Sequence, residues 1–438
     1  MAATVFSTQL EQSRQAVETA LNDDSEISVA IADRDIHFAL RSDQPDFLHV
    51  RLHSGTFSIS LGASSDQSFT LVAPEDGWQQ FFSKTPRPPY QSYWGMLRVL
   101  GEKDGAVVEG DSSAFARNAR LWRLVLDRMK EVIHGRTLDS STVDFGEESE
   151  GDSIVGRYVW VDSERFGKCK MFYESAGSGQ QAVLFLHTAG ADSRQFHSLM
   201  NNKTLQDRST MYAFDMPGHG RSFPGTRTVP QGYRLDEPSY VDTIKQMIQK
   251  LKIERCIVSG ASMAGHVCLA VALRAAELGV IGVIPCEACD HVSSSGTQYG
   301  VATANNEAIL SPEIVSGLMA PTTPAIYQRM IWWTYSSQAA GVFAGDLLFY
   351  FDGWDGRDRM SSIDTKTCPV YMLTGEYDYS CTPAASKATA AKIPGAEFIE
   401  MNGLGHFPMT EEPAVFLQYF LKGLDFIDEA HSHKSAVA

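Results

Sequence analysis

The C-terminal two-thirds of the sequence is organised by short apolar runs that alternate with helical patterns. The runs AVLFLH, TMYAFDM, CIVSG, VIGVIPC, PVYMLTG and AEFIEM each end at glycine or turn residues. Between the second and the third lies SYVDTIKQMIQKL, in which Val241, Ile244, Ile248 and Leu251 form one stripe. Continuous apolar strands separated by amphipathic helices predict a mostly parallel α/β sheet with helices on both faces. In such a sheet the chemistry lies at the carboxyl ends of the strands.

The chain of 438 residues is long for one ordinary domain, so two domains, or one domain with insertions, are expected. The acidic, serine-rich stretch TLDSSTVDFGEESEGD has almost no apolar residues and predicts a linker over 137–153. It divides an N-terminal domain, 1–136, from a C-terminal domain, 154–430, which is followed by a flexible tail, 431–438. A long insertion at about 290–364 predicts a cap on the second domain.

The N-terminal domain has an α+β pattern. A helical stretch, STQLEQSRQAVETAL, precedes the short runs SVAIA, IHFAL, LHVRLH and TFSISLG, which indicate strands of an antiparallel sheet. Strands, a tryptophan-bearing helix, a strand ending in Gly-Asp and a final helix loosely resemble the sterol-carrier-protein-2-like fold, which binds lipids. A structural or dimerisation role is the alternative, and it predicts a homodimer formed through this domain.

The net charge of −16 argues against nucleic acids and anionic membranes as partners, because their phosphates would be repelled. No apolar run approaches the ~20 residues that span a bilayer, and the N-terminus lacks the pattern of a signal peptide. The odd count of seven cysteines predicts reduced thiols in a cytoplasmic protein. The motif CEAC, Cys286 to Cys289, could be half a zinc site or a redox pair. Without a second CxxC or paired histidines, buried thiols are favoured, and no metal or cofactor is predicted.

The stretch IVSGASMAGH contains a candidate nucleophile, Ser262, between an apolar run and a helical pattern. A serine on a sharp strand-to-helix turn is held out over the sheet, and the next amide, at Met263, lies at a helix N-terminus. Ala264 stands where the motif G-x-S-x-G has its second glycine. Gly260 and Gly265 remain, so the sharp turn and the close packing are expected to persist.

Three further strand ends carry complementary residues. The turn after LFLHTAG can offer free backbone N–H groups to an oxygen that becomes negative during acyl transfer. Asp378 follows the run ending in LTG, and His406 lies in the loop MNGLGHFP. Asp378 could orient the imidazole of His406, which could take the proton of Ser262 and later return it to the leaving group.

The region from about Tyr158 to Asp428 resembles the α/β-hydrolase family. The matching segments are LHTAG, DMPGHGRS, GASMAG, GEYD and GLGHFP. The resemblance implies an α/β-hydrolase fold with a helical cap, preceded by the smaller α+β domain. It also implies Ser262 as nucleophile, Asp378 as acid and His406 as base, with an oxyanion hole formed by the amides of Ala189 and Met263.

Some features of the matching region leave alternatives open. Thr188 stands where the family usually has glycine, which adds a hydroxyl near the site. Glu287, just after VIGVIPC, is an alternative acid. A serine nucleophile argues against the epoxide hydrolases and haloalkane dehalogenases of the superfamily. His219 is expected to shape its loop and His266 to pack within its helix.

The aromatic density of the insertion 290–364 predicts an apolar or aromatic small-molecule substrate. The candidate pocket residues are His187, Thr188, Trp332, Trp333 and Trp354. The predicted function is a cofactor-independent serine hydrolase of esters or lactones. Hydrolysis of a ketone-type C–C bond by the same triad is one alternative, and a non-hydrolytic binding protein or lyase on this fold is another.

Overall fold

The computed structural model describes residues 5–31, 34–43, 47–63, 65–135, 152–229, 232–293 and 307–435. Its chain forms two compact units. The first comprises 1–141 together with 296–322, and the second comprises 142–295 and 323–438. Most of the predicted linker, up to residue 151, lies outside the described residues.

The first unit is built on a five-stranded sheet of order β3-β2-β1-β4-β5. Its strands are β1 (Ile36–Arg41), β2 (Phe47–His53), β3 (Thr56–Gly62), β4 (Phe69–Val72) and β5 (Val107–Gly110). The pairing of β1 with β4 is parallel and the other pairings are antiparallel. The helices are Val5–Asn22, Ser25–Ile31, Glu75–Phe81, Tyr93–Val99, Glu102–Asp104, Ser112–Arg117, Ala119–His134 and Glu307–Ser316. The predicted α+β pattern is therefore present, but the sheet is mixed, and the run SVAIA, predicted as a strand, begins within the helix Ser25–Ile31.

One segment of the predicted cap belongs to the first unit. The helix Glu307–Ser316 adds Leu310 and Ile314 to that unit's apolar core. The buried carboxylate of Glu313 accepts a hydrogen bond from Arg123 at 2.5 Å. The predicted boundaries of the cap, 290–364, therefore include residues that pack elsewhere. Sequence spacing could not reveal this, because Glu313 and Arg123 are far apart along the chain.

The second unit contains an eight-stranded sheet of order β13-β12-β11-β10-β8-β9-β7-β6. Its strands are β6 (Val155–Ser163), β7 (Gly167–Ala176), β8 (Gln181–Leu186), β9 (Ser209–Phe214), β10 (Cys256–Ala261), β11 (Val280–Cys286), β12 (Tyr371–Gly375) and β13 (Glu397–Met401). The strands from β8 onward pair with one another in parallel, whereas β7 pairs antiparallel with both β6 and β9. This confirms the predicted fold class.

Helices connect most of the strands in this unit. They are Ser193–Phe196, His197–Met200, Lys203–Arg208, Glu237–Leu251, Met263–Ala272, Ala275–Leu278, Ala325–Ser336, Val342–Leu348, Phe349–Gly353, Met360–Ser362, Pro383–Ala390, Pro408–Glu411 and Pro413–Ser435. The last helix continues into the predicted flexible tail, where His431 Nε2 bonds the carbonyl oxygen of Ile281. Within the described ranges, no helix is long and apolar enough to cross a membrane.

The strand order brings the candidate residues to one edge of the sheet. Strands β8, β10, β11 and β12 are consecutive neighbours, although they are distant along the chain. Because they run in parallel, the residues that follow them emerge at the same edge. The loops bearing Ala189, Ser262, Glu287 and Asp378 therefore leave the sheet side by side.

Candidate active site

Ser262 lies at the junction between β10 and the helix Met263–Ala272. Its backbone has φ 61° and ψ −122°, a conformation that side-chain-bearing residues rarely adopt. Its N–H donates to the carbonyl oxygen of Cys286 at 3.0 Å, at the end of β11. The turn is therefore held by the neighbouring strand, and its strain is typical of a nucleophile elbow.

Two glycines allow the close packing of this turn. A Cβ at Gly260 would lie 2.5 Å from the Cβ of Ala264 and 2.6 Å from the oxygen of Leu186. A Cβ at Gly265 would lie 2.1 Å from the oxygen of Cys286. The methyl group of Ala264 thus fits because Gly260 has no side chain. The persistence of the turn despite Ala264 agrees with the expectation from the sequence.

The amides of Ala189 and Met263 are free donors. Among the described residues, neither amide makes a hydrogen bond. Met263 is the first residue of its helix, where backbone N–H groups have no partner within the helix. Both residues are buried at neighbouring strand ends. Two free amides at this edge can supply the donors of an oxyanion hole.

The turn that bears Ala189 is held in place by side chains. Thr188 donates its N–H to Gln195 Oε1 at 3.0 Å, and its hydroxyl lies 2.6 Å from the hydroxyl of Tyr335. Gly190, with φ 61°, donates its N–H to Asp346 Oδ2 at 2.8 Å. Thr188, which replaces the glycine usual in the family, thus uses its hydroxyl to join the turn to the helix Ala325–Ser336.

Asp346 also binds His219, whose Nε2 lies 2.9 Å from Asp346 Oδ2. Both side chains are fully buried. Burial alone would lower the pKa of His219, but the charge of Asp346 and its hydrogen bond outweigh it and raise that pKa. Sequence analysis missed Asp346. The sequence feature that could have pointed to Asp346 is its position as an acidic residue within the otherwise apolar helix Val342–Leu348.

His187 is occupied by the backbone on both ring nitrogens. Its Nδ1 donates to the carbonyl oxygen of Thr188 at 2.9 Å, and its Nε2 accepts the N–H of Met216 at 3.0 Å. Burial, followed by the nearby charge of His219, lowers the pKa of His187 to about 4. The ring is therefore neutral near pH 7 and fixes two loops instead of offering a polar group to a substrate.

His406 and Asp378 form a hydrogen-bonded pair. His406 Nδ1 lies 2.8 Å from Asp378 Oδ2, and both side chains are buried. The other carboxylate oxygen of Asp378 accepts the N–H groups of Ser380 at 2.7 Å and Cys381 at 3.1 Å. The carboxylate is thus oriented by its own turn, and it leaves Nε2 of His406 as the nitrogen able to take a proton.

The loop that carries His406 is held by Glu411, a residue that sequence analysis missed. The buried carboxylate of Glu411 accepts the N–H of Gly405 at 2.8 Å and the N–H of Phe407 at 2.8 Å. These are the amides on either side of His406. An acidic residue shortly after the histidine, in GHFPMTEE, was the available signal.

Tyr350 connects the nucleophile helix with the histidine loop. Its ring stacks on that of His266 at 4.8 Å between centroids, and it meets the ring of His406 edge-on at 6.5 Å. Its hydroxyl lies 2.7 Å from Ser380 Oγ, two residues after Asp378. Ser262 Oγ itself makes no hydrogen bond to any described residue. Such bonds often form only when substrate is bound.

Glu287, the alternative acid, lies at the end of β11 and does not contact His406 by a hydrogen bond. Its Oε1 accepts the N–H of Gly375 at 3.0 Å, whereas its buried Oε2 has no partner among the described residues. Burial, and then the charge of Asp378, raise the pKa of Glu287 well above its ordinary range. The raised pKa favours the neutral, protonated form of Glu287. The histidine is paired with Asp378 instead.

The three predicted pocket tryptophans occupy different environments. Trp354 is completely buried and donates its Nε1–H to the carbonyl oxygen of Cys289 at 2.9 Å. Trp333 is 53% exposed, with the guanidinium of Arg194 over its ring. Trp332 is half-buried. The rings found beside the candidate residues are instead those of Tyr335, Tyr350 and Phe407.

A separate cavity of about 820 Å³ lies at another part of this unit. Polar residues dominate its lining, among them Asp162, Arg165, Arg227, Arg234 and Asp242. It contains none of the residues described above at the strand ends. We therefore do not assign the substrate to this cavity.

Comparison with known proteins places this fold in a family. The sequence model of the alpha/beta hydrolase family matches residues 183–419, which is just over half of the chain. The chain belongs to the alpha/beta hydrolase family. The matched range includes every strand-end residue described above, from His187 to Glu411.

Solved alpha/beta hydrolase structures share the fold of the second unit. A thermophilic esterase from Thermogutta terrifontis superposes with a TM-score of 0.54 at 20% identity, covering 62% of this chain and 99% of that one. The enol-lactonase from Burkholderia xenovorans has a TM-score of 0.52 at 18% identity, covering 61% and 100%. At this identity the likeness shows the fold alone.

One similar curated protein carries a name that refers to an acetoin cleaving system. It is the dihydrolipoyllysine-residue acetyltransferase component of an acetoin cleaving system from Pseudomonas putida. It is 26% identical over 284 residues, which cover 60% of this chain and 73% of that protein.

Proposed function

We propose that this protein is a serine hydrolase that cleaves an ester or lactone bond of a bulky apolar or aromatic small molecule. The observation that carries the proposal is the buried pair of His406 and Asp378, 2.8 Å apart, at the same sheet edge as the strained Ser262. The free amides of Ala189 and Met263 support it, because they provide donors for a negatively charged oxygen.

The reaction follows from these positions. His406 Nε2 takes the proton of Ser262 Oγ as the oxygen attacks the substrate carbonyl, and Asp378 stabilises the imidazolium through Nδ1. The carbonyl oxygen becomes an oxyanion that the amides of Ala189 and Met263 bind. His406 then protonates the leaving alcohol, and an acyl group remains on Ser262. Water, deprotonated by His406, releases the acid and restores the serine.

The apolar substrate class rests on the rings near the candidate triad. Tyr335 binds the hydroxyl of Thr188, and its ring lies 5.6 Å from that of Phe407, next to His406. The ring of Tyr350 also lies beside the candidate triad, in edge-on contact with the ring of His406. Esters and lactones are favoured because the fold is shared with an esterase and an enol-lactonase. Aromatic rings beside a candidate site favour large apolar acyl or alcohol groups.

A fluorophosphonate probe tests the nucleophile, because it forms a covalent bond with an activated serine. We expect wild type to be labelled at Ser262, and Ser262→Ala to lose both labelling and turnover of nitrophenyl esters or aryl lactones. The rate should fall by about 10,000-fold or more. Peptide mass spectrometry locates the label.

Ser259→Ala is the matched control. Ser259 is a buried serine on β10, the strand that precedes Ser262, and its Oγ donates to the carbonyl oxygen of Ile284 at 2.8 Å. Its loss should leave labelling intact. Labelling of Ser262→Ala at the wild-type rate, or unchanged turnover by that variant, would overturn the proposal.

A further inference from the structure

Three side chains with metal-binding atoms lie together beside the nucleophile turn, and the proposed hydrolysis uses none of them. His266 is on the helix that follows Ser262, Cys289 lies three residues beyond β11, and Cys381 lies three residues beyond Asp378. One ligand atom from each lies within 4.8 Å of the other two. All three side chains are buried, with at most 1% exposure.

This cluster changes the interpretation of the motif CEAC. Cys286 Sγ lies 3.7 Å from the carbonyl oxygen of Ile284, and Cys286 belongs to the apolar core of its unit. Cys289 instead meets His266 and Cys381, which come from other strand ends. The partners that the sequence did not show near the motif are therefore supplied by the tertiary structure.

We propose that His266, Cys289 and Cys381 form a binding site for a zinc ion. In a tetrahedral site, Zn–S bonds of about 2.3 Å and Zn–N bonds of about 2.0 Å separate neighbouring ligand atoms by roughly 3.5–3.8 Å. Cys289 Sγ and His266 Nε2 are 3.9 Å apart. The other separations among the three ligand atoms are at most 4.8 Å, so the ligands would move by about 1 Å or less to reach bonding distance.

The charge balance of such a site suits its burial. Zinc and two thiolates have no net charge, so the occupied site avoids the cost of an isolated buried ion. Binding deprotonates both thiols, and the two protons leave to solvent or buffer while His266 binds as a neutral imidazole. Thiolate and imidazole ligands favour zinc over magnesium or calcium, which prefer oxygen.

The surroundings hold the three ligands in place. The ring of Tyr350 stacks on His266 with an interplanar angle of 7°. Trp354 donates its Nε1–H to the carbonyl oxygen of Cys289. Ser386 Oγ lies 3.6 Å from Cys381 Sγ and 2.7 Å from Thr374 Oγ1. Second-layer contacts of this kind orient metal ligands.

A zinc ion here would join three segments of the candidate active site. Through its ligands it would link the helix after Ser262, the loop after β11 and the turn that contains Asp378. The three protein ligands would leave the fourth tetrahedral position to a water molecule or another small ligand, and no step of hydrolysis is routed through the ion. Because the ion would bind the folded chain, it should raise the midpoint of thermal unfolding, Tm.

Direct metal binding to the full-length protein tests the site. The reduced protein is treated with a chelator, exchanged into buffer and titrated with zinc against a chromophoric competitor, and with Co²⁺. Wild type should bind about one zinc per chain and show thiolate-to-cobalt charge-transfer absorption. Cys289→Ala, Cys381→Ala and His266→Phe should each weaken zinc binding by more than about 100-fold. Phenylalanine retains the stacking on Tyr350.

Cys286→Ala is the matched control and should bind zinc as wild type does. Failure of the reduced wild type to bind micromolar zinc would overturn the proposal, as would equal losses in Cys286→Ala. Two results together would assign the pair to redox chemistry instead. These are a Cys289–Cys381 disulfide in peptide maps of the protein before reduction, and no zinc uptake by the protein after reduction. These measurements require no substrate, so their outcome is independent of the serine-hydrolase proposal.

Discussion

The ends of β11 and β12 carry the same kinds of side chain in opposite environments. Each strand is followed by a carboxyl group, and a cysteine lies two or three residues after that carboxyl group. The pairs are Glu287 and Cys289 after β11, and Asp378 and Cys381 after β12. Asp378 accepts two backbone N–H groups and pairs with His406. Glu287 accepts one N–H, from Gly375, and its second oxygen has no partner among the described residues.

The comparison shows that hydrogen-bond donors, rather than residue type, separate the two carboxyl groups. Both are buried, so both face the cost of ionisation in a poor dielectric. The turn after β12 supplies two N–H donors to Asp378, whereas Glu287 receives only one, from Gly375 at the end of β12. Burial and the nearby charge of Asp378 accordingly raise the pKa of Glu287. Two carboxyl groups with different hydrogen-bond partners can divide their roles.

The strongest way to break this comparison is to replace each carboxyl group with the matched amide. Asp378→Asn should reduce kcat/KM for ester hydrolysis by about 1,000- to 10,000-fold, because the amide cannot stabilise the imidazolium of His406. Glu287→Gln should leave kcat/KM within about threefold of wild type, since the raised pKa of Glu287 favours the neutral acid, which the amide resembles. Steady-state kinetics on one ester substrate compare the two. A larger loss in Glu287→Gln would reverse the assignment.

Glu411 sharpens the comparison, because it orients the histidine that Asp378 binds. Glu411→Gln places an amide NH₂ against the N–H groups of Gly405 and Phe407. We expect kcat to fall roughly 10- to 100-fold through misplacement of the imidazole, with a shifted pH–rate profile and a nearly unchanged KM. Kinetics across pH provide the measurement.

The neighbouring half-buried Glu412 offers the control, since its side chain has no hydrogen bond to the histidine loop in the described part of the chain. Glu412→Gln should retain wild-type kcat. Equal losses in both variants would show that Glu411 has only a general effect on stability.

The smallest expected effect is the contribution of Glu287 to the pH dependence of the free energy of unfolding. Because its folded pKa lies above its unfolded value, the folded state retains a proton that the unfolded state loses. The wild-type free energy of unfolding should therefore fall as pH rises from about 4.5 towards the folded pKa, by about 1.4 kcal/mol per pH unit from this group. Glu287→Gln removes this contribution.

Urea unfolding of wild type and Glu287→Gln across pH measures the difference. The stability of the variant relative to wild type should increase with pH above about 4.5 and be nearly constant below it. A difference independent of pH would mean that Glu287 is ionised in the folded protein.

Local patterns predicted the parts of the site that depend on short stretches of chain. Apolar runs ending in glycine predicted the parallel sheet, and GASMAG predicted the sharp turn at Ser262. Asp378 and His406 followed from their positions after strands, and the structure pairs them. Their catalytic roles stay predictions, as do the sterol-carrier-protein-2-like character of the first unit and a homodimer. Which tryptophans border the substrate was harder to predict, because aromatic residues in a cap pack in its core as often as they line its cavity.

Sequence by itself determined which residues could do chemistry, because strand periodicity and turn residues act over a few positions. Only the tertiary structure decided how they are partnered. Glu411 flanks His406 through two amides, and Asp346 holds the turn after β8 from a distant helix. Cys289 meets Cys381 and His266 instead of Cys286. Hydrogen bonds and ligand geometry depend on distances of a few ångströms between strand ends, and these are set by the order of strands in the sheet.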